Sequence, residues 1–520
     1  MNFTKLIYKL ISAAATVCLL AAGIGTTACA ERDYAAEREE RKTLPIQTNE
    51  TEGWPEGPAI GAQSAILMEM NTHTILYAKN INEKSYPAST TKILTCLLAM
   101  QNCAMDETVT FSHDAIYDVP ADGSKFGEVD EGDTMTMEQA LYCILVQSAN
   151  EVASAVGEHV AEKLGLTQDG QKPIDAFTEL MNEKAAELGC TGSHFANANG
   201  LYDDDHYTTA YDLALIGCEF FNNELLCKMS STSSYHFRLN PDDDEDKWIS
   251  SKNQLYKGKA YEYEYLLGSK TGYVSQSRQT LVSAAEKNGM KLVCVIFCEE
   301  SPYQFEDTVT LFQYGFENFQ RVSVNDNETA SKVYTGDSTP LVAMEDDSYI
   351  ILPNTASFSD TASTLTYESQ NDETAGNVIA TISYTYQDTP VGSCNIIFSA
   401  VDRASLDFSF NDPIPGIAEI TTGTDNPDED GTERSDDTGN VIFINIQNVI
   451  IGILALAALA LIILFIISVI NSYSFSPKGQ SNRRRRKRKQ ETRALKREAR
   501  KNRIIQKRLE RKRKKEYKKR

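Results

Sequence analysis

The apolar positions of this chain change period several times, and each change marks an element. Ser64 to Met70 and Thr74 to Ala78 are short apolar runs on either side of a polar turn at Asn71-Thr72, which predicts two strands. A denser run, Ile93 to Leu98, follows Pro87-Ala88-Ser89-Thr90-Thr91-Lys92 and predicts a helix entered at the proline. Met137 to Val160 keeps helical spacing but is broken near Gln147-Ser148-Ala149-Asn150. Pro173 to Leu188 and Thr209 to Phe221 are further helices, and residues 190–208, rich in Asn, Gly, His and Asp, are a structured loop. Residues 230–265 are polar and aromatic, and the acidic cluster at Asp242 to Asp246 within them reads as a solvated loop. Strong strand signals return at Thr280 to Ala285 and Lys291 to Phe297, followed by an aromatic-rich helix over 303–319. Strands, a helical middle and strands again predict an α+β domain over 58–320, its sheet completed by both chain ends with a helical lobe inserted between them. Residues 321–412 alternate Val, Ile, Thr and Tyr between turns, clearest at Val378 to Tyr386 and Ser393 to Phe398, and predict a small all-β domain. The charged stretch 31–57 reads as a polar spacer, and 413–440 as an acidic flexible linker.

The two ends change this picture. Lys5 and Lys9 precede an apolar run from Leu10 to Gly25 that ends in Ala28-Cys29-Ala30, the pattern of a signal peptide over 1–30. A lipid-modified Cys29 is the lesser reading, because Thr26 stands three residues upstream in place of the usual leucine. Val449 to Ile470 is 22 residues without a charge, enough to span a hydrocarbon core of roughly 30 Å as one transmembrane helix. Residues 471–520 hold 24 of the 51 Lys and Arg and 4 of the 73 Asp and Glu, which leaves 27 basic against 69 acidic residues before them. That asymmetry predicts a single-pass membrane protein with its basic tail in the cytoplasm, against anionic inner-leaflet lipid, and an acidic domain outside. No nucleic acid is expected as a partner. Nine of the eleven cysteines lie beyond the signal, several on apolar faces, where they read as small core residues. A Cys294–Cys298 bridge is disfavoured by its spacing along a strand.

Three short patterns carry chemistry. Ser89-x-x-Lys92 at the mouth of an apolar helix stacks a hydroxyl and an amine one turn apart. Burial and neighbouring charge would free Lys92 to take the serine's proton. Ser148-x-Asn150 follows a helical segment and places polar side chains where only a cleft would satisfy them. Lys270-Thr271-Gly272-Tyr273 stands before a clear strand, with a lysine and a hydroxyl on a sheet edge and a glycine admitting another chain alongside. Each alone reads as a cap, a helix break or a turn; in this order they reinforce one another.

The triplet resembles that of the penicillin-recognising serine enzymes. More narrowly, the chain is similar to the low-molecular-weight penicillin-binding proteins that are D-alanyl-D-alanine carboxypeptidases. The narrower likeness rests on Pro87-Ala88-Ser89, on Leu188-Gly189 through Phe195-Ala196-Asn197, Gly200-Leu201, His206, Ala210 and Asp212, and on Leu267 to Tyr273. The resemblance implies a β-lactamase/transpeptidase-like antiparallel sheet with a helical lobe. It also implies Ser89 as nucleophile, Lys92 as base, Ser148 as proton relay, Asn150 as a peptide-orienting group and Lys270 as positive potential. Thr271, Gly272 and Tyr273 would bind substrate, with the N–H groups of Ser89 and Tyr273 as oxyanion hole. The implied substrate is a peptidoglycan stem peptide, the implied inhibitors are β-lactams, and no cofactor or metal is implied. Departures are Val274, where a small hydroxyl residue is usual, Thr208 in place of serine, and the full membrane span. Ser275 is expected to face away from the site if the strand continues. His194 and His206, near Asp203 to Asp205, read as loop hydrogen-bonding groups rather than metal ligands. A β-lactamase and a non-catalytic wall-binding protein are the competing functions.

Overall fold

The computed structural model describes residues 33–120, 123–239, 246–328, 342–367 and 378–398. The expected signal peptide, acidic linker, membrane span and basic tail lie outside them. Among the described residues no helix is long and apolar enough to cross a membrane.

In chain order the structure opens with α1 (Tyr34–Arg41), strands β1 (Ser64–Glu69) and β2 (Ile75–Lys79), and α2 (Lys92–Asn102). The helical middle holds the short pair β3 (Thr108–Thr110) and β4 (Thr134–Thr136) and helices α3 (His113–Tyr117), α4 (Met137–Tyr142), α5 (Asn150–Leu164), α6 (Pro173–Glu187), α7 (Ala210–Phe221) and α8 (Glu224–Ser230). A hairpin of β5 (Ser234–Phe237) and β6 (Lys247–Ser250) lies within the polar and aromatic stretch 230–265. It escapes the sequence because each strand is only four residues long, although Tyr235, Phe237 and Ile249 pack on the core of the helical lobe. Then come β7 (Leu266–Val274), β8 (Arg278–Lys287), β9 (Met290–Glu299) and α9 (Tyr303–Asn318).

Five strands form one antiparallel sheet in the order β2-β1-β9-β8-β7, so the two ends of the domain meet between β1 and β9. Alternate residues of β8 and β9 serve two cores. Val282, Ala284, Val293 and Val295 face the helical lobe, and Leu281, Ala285, Leu292, Cys294 and Ile296 face α9. Burial on both faces explains why these strands read as continuous apolar runs rather than as an alternation. Two glycines set the layer spacing. A Cβ on Gly217 of α7 would come 2.9 Å from Val293, and one on Gly315 of α9 would come 2.7 Å from Leu292 and from Leu67. Either helix would have to lift off the sheet to take a side chain.

Two expected boundaries are corrected. The described part of the expected spacer 31–57, residues 33–57, packs on the domain. Asp33 caps α1, accepting from Ala36 N at 3.1 Å, and Arg38 is buried between Glu299 (3.3 Å) and Asp307 (3.2 Å). Lys79 Nζ donates to the carbonyls of Arg41 (2.7 Å) and Ile60 (2.8 Å), and buried Trp54 donates to Leu76 O at 3.0 Å. The charges look solvated in sequence because their partners lie far along the chain. The boundary at 320/321 also falls inside a strand, β10 (Phe319–Ser323), which continues from α9.

Beyond it lie β11 (Val342–Met344), β12 (Tyr349–Pro353), β13 (Ala362–Tyr367), β14 (Val378–Tyr386) and β15 (Thr389–Phe398). β10 pairs with β12, and β11, β15, β14 and β13 make a four-stranded sheet. Their inner residues, Ile350, Ile382, Tyr384 and Ile396 among them, join the same core as Leu67 and Phe312. Tyr386 lies near the Trp54 ring, centroids 6.3 Å apart, and the Tyr349 hydroxyl donates to Glu69 at 2.8 Å. Cys96, Cys103, Cys143, Cys190, Cys218, Cys227, Cys294 and Cys394 are thiols outside any disulfide.

The buried Arg38 bridge makes a direct claim. Removing the guanidinium in Arg38→Ala takes away the cation that Glu299 and Asp307 share and leaves Arg41, 3.5 Å from Glu299, as the nearest remaining one, a loss of about 3–5 kcal/mol for a broken buried pair. The denaturant midpoint should fall accordingly, and an unchanged midpoint would show that the segment adds nothing to the fold.

Candidate active site

The nucleophile candidate sits on a strained turn. Residues Ala88–Thr91 form a single 3-10 turn that runs into α2, and Ala88 is held at φ 53°, a left-handed conformation that costs a side chain of order 1 kcal/mol. Three contacts fix the turn through one oxygen: Pro87 O accepts from Thr90 N (3.3 Å), Thr90 Oγ1 (2.7 Å) and Thr280 Oγ1 (2.9 Å). The 190–208 loop closes over the turn. Gly200 lies so near Ala88 that a Cβ there would sit 1.8 Å from its carbonyl oxygen.

Lys92, one turn on, is fully buried. Its Nζ lies 3.0 Å from Ser89 Oγ and 2.6 Å from Asn150 Oδ1, and it also donates to the Asn199 carbonyl. Burial first, and then the charge of Lys270, hold its pKa well below the ordinary lysine value. A neutral amine has two N–H groups and one lone pair. Two of the three partners are carbonyl oxygens, which only accept, so they take the N–H groups. The lone pair is left for the one partner that carries a proton, the Ser89 hydroxyl.

Asn150 opens α5, and Ser148 stands just before it at φ 63°. The reason is local. Cys143–Gln147 is a π-helical turn, wider than an α turn, and Ala149 N reaches back to Cys143 O at 3.2 Å. The extra residue ends the helix abruptly and turns the Ser148 side chain toward the sheet, where its Oγ lies 2.9 Å from Lys270 Nζ. Lys270 also donates to Thr271 O at 2.8 Å, and burial brings its pKa down to about 7.

β7 is the sheet edge that faces this group. A Cβ on Gly272 would come 2.3 Å from Thr280 Oγ1, 2.9 Å from Ser89 N and 3.0 Å from Pro87 O. The strand therefore lies directly against the nucleophile's backbone N–H. Ser89, Ser148, Asn150, Thr271, Gly272 and Tyr273 line one cleft of about 1530 Å³, together with Gln279 and Gln304 on one wall and Tyr202 and Trp248 near the rim. All eight expected site residues meet here, with Lys92 and Lys270 beneath the cleft floor. One expectation is corrected: β7 stops at Val274 and the chain turns, so Ser275 lines the same cleft as Val274 instead of facing away.

Asn199 and Thr280 escape the sequence reading. Each acts through a backbone or hydroxyl contact with a residue far away in the chain, and neither belongs to a motif. His206 is buried, and its pKa is lowered by burial to about 3. Its Nδ1 accepts from Ala196 N (3.0 Å), so its Nε2 donates to Thr91 Oγ1 (2.7 Å). His194 Nδ1 donates to Asp205 O at 2.6 Å. Both histidines pin the loop. Away from the cleft, Cys103, Glu107 and His159 come close together, but Glu107 already accepts from His159, Ala104 N and Lys163.

A half-buried serine beside a buried amine, a hydroxyl held by a second lysine and an open sheet edge thus meet in one cleft. Residues 50–301 match the family model described as D-alanyl-D-alanine carboxypeptidase. The chain is 30% identical over 268 residues to the D-alanyl-D-alanine carboxypeptidase DacB2 of Mycobacterium tuberculosis, covering 50% of this chain and 84% of the relative. It is 31% identical over 277 residues to DacF of Bacillus subtilis, covering 52% and 67%. In fold it is similar to penicillin binding protein 5 from Haemophilus influenzae, with a TM-score of 0.52 at 24% identity over 66% of this chain and 98% of the other. The chain belongs to the D-alanyl-D-alanine carboxypeptidase family, and its function is that of a D-alanyl-D-alanine carboxypeptidase.

The crowding at Gly272 is testable. In Gly272→Ala the strand must move off Ser89 N, so acylation should slow by about 100-fold or more, the scale of a lost oxyanion donor. Stopped-flow acylation by a chromogenic β-lactam measures it, and an unchanged rate would show that this approach does not matter.

Proposed function

We propose that catalysis runs through an acyl-enzyme on Ser89. The observation that carries this is the fully buried Lys92 amine 3.0 Å from Ser89 Oγ, its pKa held well below the ordinary lysine value by burial. Ser89 Oγ attacks the carbonyl carbon of the penultimate D-alanine and its proton passes to Lys92. The N–H groups of Ser89 and Tyr273 hold the oxyanion, commonly the largest contribution to such a step. As the tetrahedral centre collapses, the C–N bond breaks, and the leaving amine takes a proton through Ser148, whose hydroxyl Lys270 positions. Free D-alanine departs and an ester remains on Ser89. Water then attacks the ester with Lys92 again as base, releasing the shortened peptide and restoring the serine.

Asn150 is anchored by Lys92 and orients the peptide, and Thr271 sits where the substrate's terminal group would lie. The natural substrate in this reading is the peptidoglycan stem peptide, and β-lactams are slowly released acylating agents. Place follows from the ends of the sequence. A signal-like N-terminus, a 22-residue apolar run at 449–470 and a basic tail support an outward-facing enzyme held by one membrane span.

Two experiments test the reading. Intact mass of the protein after β-lactam exposure should show an adduct that Ser89→Ala lacks, and D-alanine should be released from a pentapeptide ending in D-Ala-D-Ala. An adduct that persists in Ser89→Ala would place the nucleophile elsewhere. The pH dependence follows from the two lysines. Lys92 must be neutral and Lys270 charged, so kcat/KM should rise with pH through the lowered Lys92 value and fall as Lys270 loses its proton at about 7. Lys270→Arg should keep the rising limb and move the fall to higher pH. A falling limb unmoved by that substitution would remove Lys270 from the account.

A further inference from the structure

The segment that matches the family model begins at residue 50, and α1 lies ahead of it. Tyr34 and Arg38 stand four residues apart on this helix and so share a face. From that face two sets of contacts lead to the end of β7.

They converge on Arg278, the first residue of β8. The ladder sets Arg278 opposite Val274, so regular alternation would carry its side chain to the face away from Tyr273. At φ 54° the residue departs from strand geometry, and its guanidinium lies on the Tyr273 side instead, Nη1 donating to the Tyr273 hydroxyl at 3.1 Å. The Tyr34 ring covers it, with 4.1 Å from Cζ to the ring centroid. Glu300 holds another edge, accepting from Nε at 3.1 and 3.2 Å and from Nη2 at 2.8 Å. Glu300 is in turn placed from α1: its N–H donates to Glu299 Oε1 at 2.6 Å, and that oxygen lies 3.3 Å from Arg38 Nε. The position calls for a planar cation. A guanidinium stacks through its face and donates through its edge, whereas an ammonium is a point charge without a face.

Tyr273 is the residue this arrangement bears on. Its side chain is 51% exposed and lines the cleft, and the bond to Arg278 ties its hydroxyl to the hairpin. Its strand is the sheet edge, paired with β8 on one side. With the other side turned to the cleft, the contacts at Arg278 bear on where the Tyr273 backbone stands.

We propose that α1 is a positioning element of the active site: Tyr34, acting through Arg278, holds Tyr273 where its N–H meets the developing oxyanion. The proposal rests on the Ser89 acyl-transfer reading above, and it gives residues ahead of the matched segment a part in the reaction. Tyr34 and Arg278 are positioning residues, acting on the reacting atoms only through Tyr273.

The test measures single-turnover acylation of the full chain by a chromogenic β-lactam, resolved into the affinity of the first complex and the rate constant of acylation. Tyr34→Ala should lower the rate constant about two- to fivefold, the range of a cation–π contact at a partly exposed site. The affinity should stay unchanged, because an oxyanion donor acts on the transition state. Tyr34→Phe keeps the ring and should keep the rate. No loss in Tyr34→Ala, a loss confined to the affinity, or an equal loss in Tyr34→Phe overturns the proposal. Arg278→Lys keeps the charge and removes the planar fork; it should slow acylation at least as much as Tyr34→Ala, and an unchanged rate there also overturns the proposal. The decisive comparison is with Tyr273→Ala, which keeps the N–H but removes the ring and hydroxyl that Arg278 holds. On that background Tyr34→Ala should cost nothing further. Losses that multiply would show that Tyr34 acts by another route and overturn the assignment. Ser89→Ala separates the two readings: an adduct that survives it defeats the acyl-transfer reading, whatever the Tyr34 variants show.

Discussion

Everything at the cleft depends on keeping one amine dry. Lys92 has no exposed surface, and its three partners are oxygens of three different chain segments: the nucleophile turn, the head of α5 and the 190–208 loop. An ammonium in that place would carry a desolvation cost of several kcal/mol. That cost lowers the pKa of the amine and favours its neutral form, the state the proposed general base needs. Lys270 contributes to the same end from the other side of the cleft, because two lysines charged close together disfavour each other. The pair thus divides the work: one amine is driven to give up its proton, and the other remains near the balance point.

The fold supplies the walls that keep this arrangement fixed. Sheet and helical lobe meet at the site through close backbone approaches, Gly272 against the Ser89 turn and Gly200 against Ala88. The turn itself hangs on the Pro87 carbonyl, which receives a hydroxyl from β8. Movement of either layer would open the amine to water. On the far face the first described segment, α1 through Trp54, clasps β2, β9 and α9 through Arg38, Lys79 and Trp54. Tyr34 continues the clasp to the hairpin beyond β7, its ring under the Arg278 guanidinium, which in turn contacts the Tyr273 hydroxyl. The N-terminal segment is therefore mechanically continuous with the strand that receives the peptide.

Much of this was legible in the sequence where the signal is local. The Ser89 helix, the break at Ser148, the β8 and β9 runs and α9 all show in periodicity and turn residues, and three short motifs named the residues that meet at the cleft. The rest depends on contacts between distant segments. The residues before 58 looked solvated because their charges pair with Glu299 and Asp307, more than two hundred residues away. Asn199 contributes a backbone carbonyl, which no side-chain pattern can announce. The β5–β6 hairpin has strands of only four residues each, too short for the alternation of Tyr235 and Phe237 to mark a period. Ser275 was misplaced because a strand's end is set by its hairpin turn and not by the alternation preceding it.

The central claim is the neutrality of Lys92, and the most direct measurement is its own titration. Lysine labelled at Cε and Nζ, followed by NMR across pH with Lys92→Arg to assign the signal, reads that ionisation apart from catalysis. The account expects one lysine to titrate well below the ordinary value of 10.5 and to vanish in the variant. A Lys92 signal that remains ammonium alongside the exposed lysines up to that value would contradict it, and the proton of Ser89 would then need another acceptor.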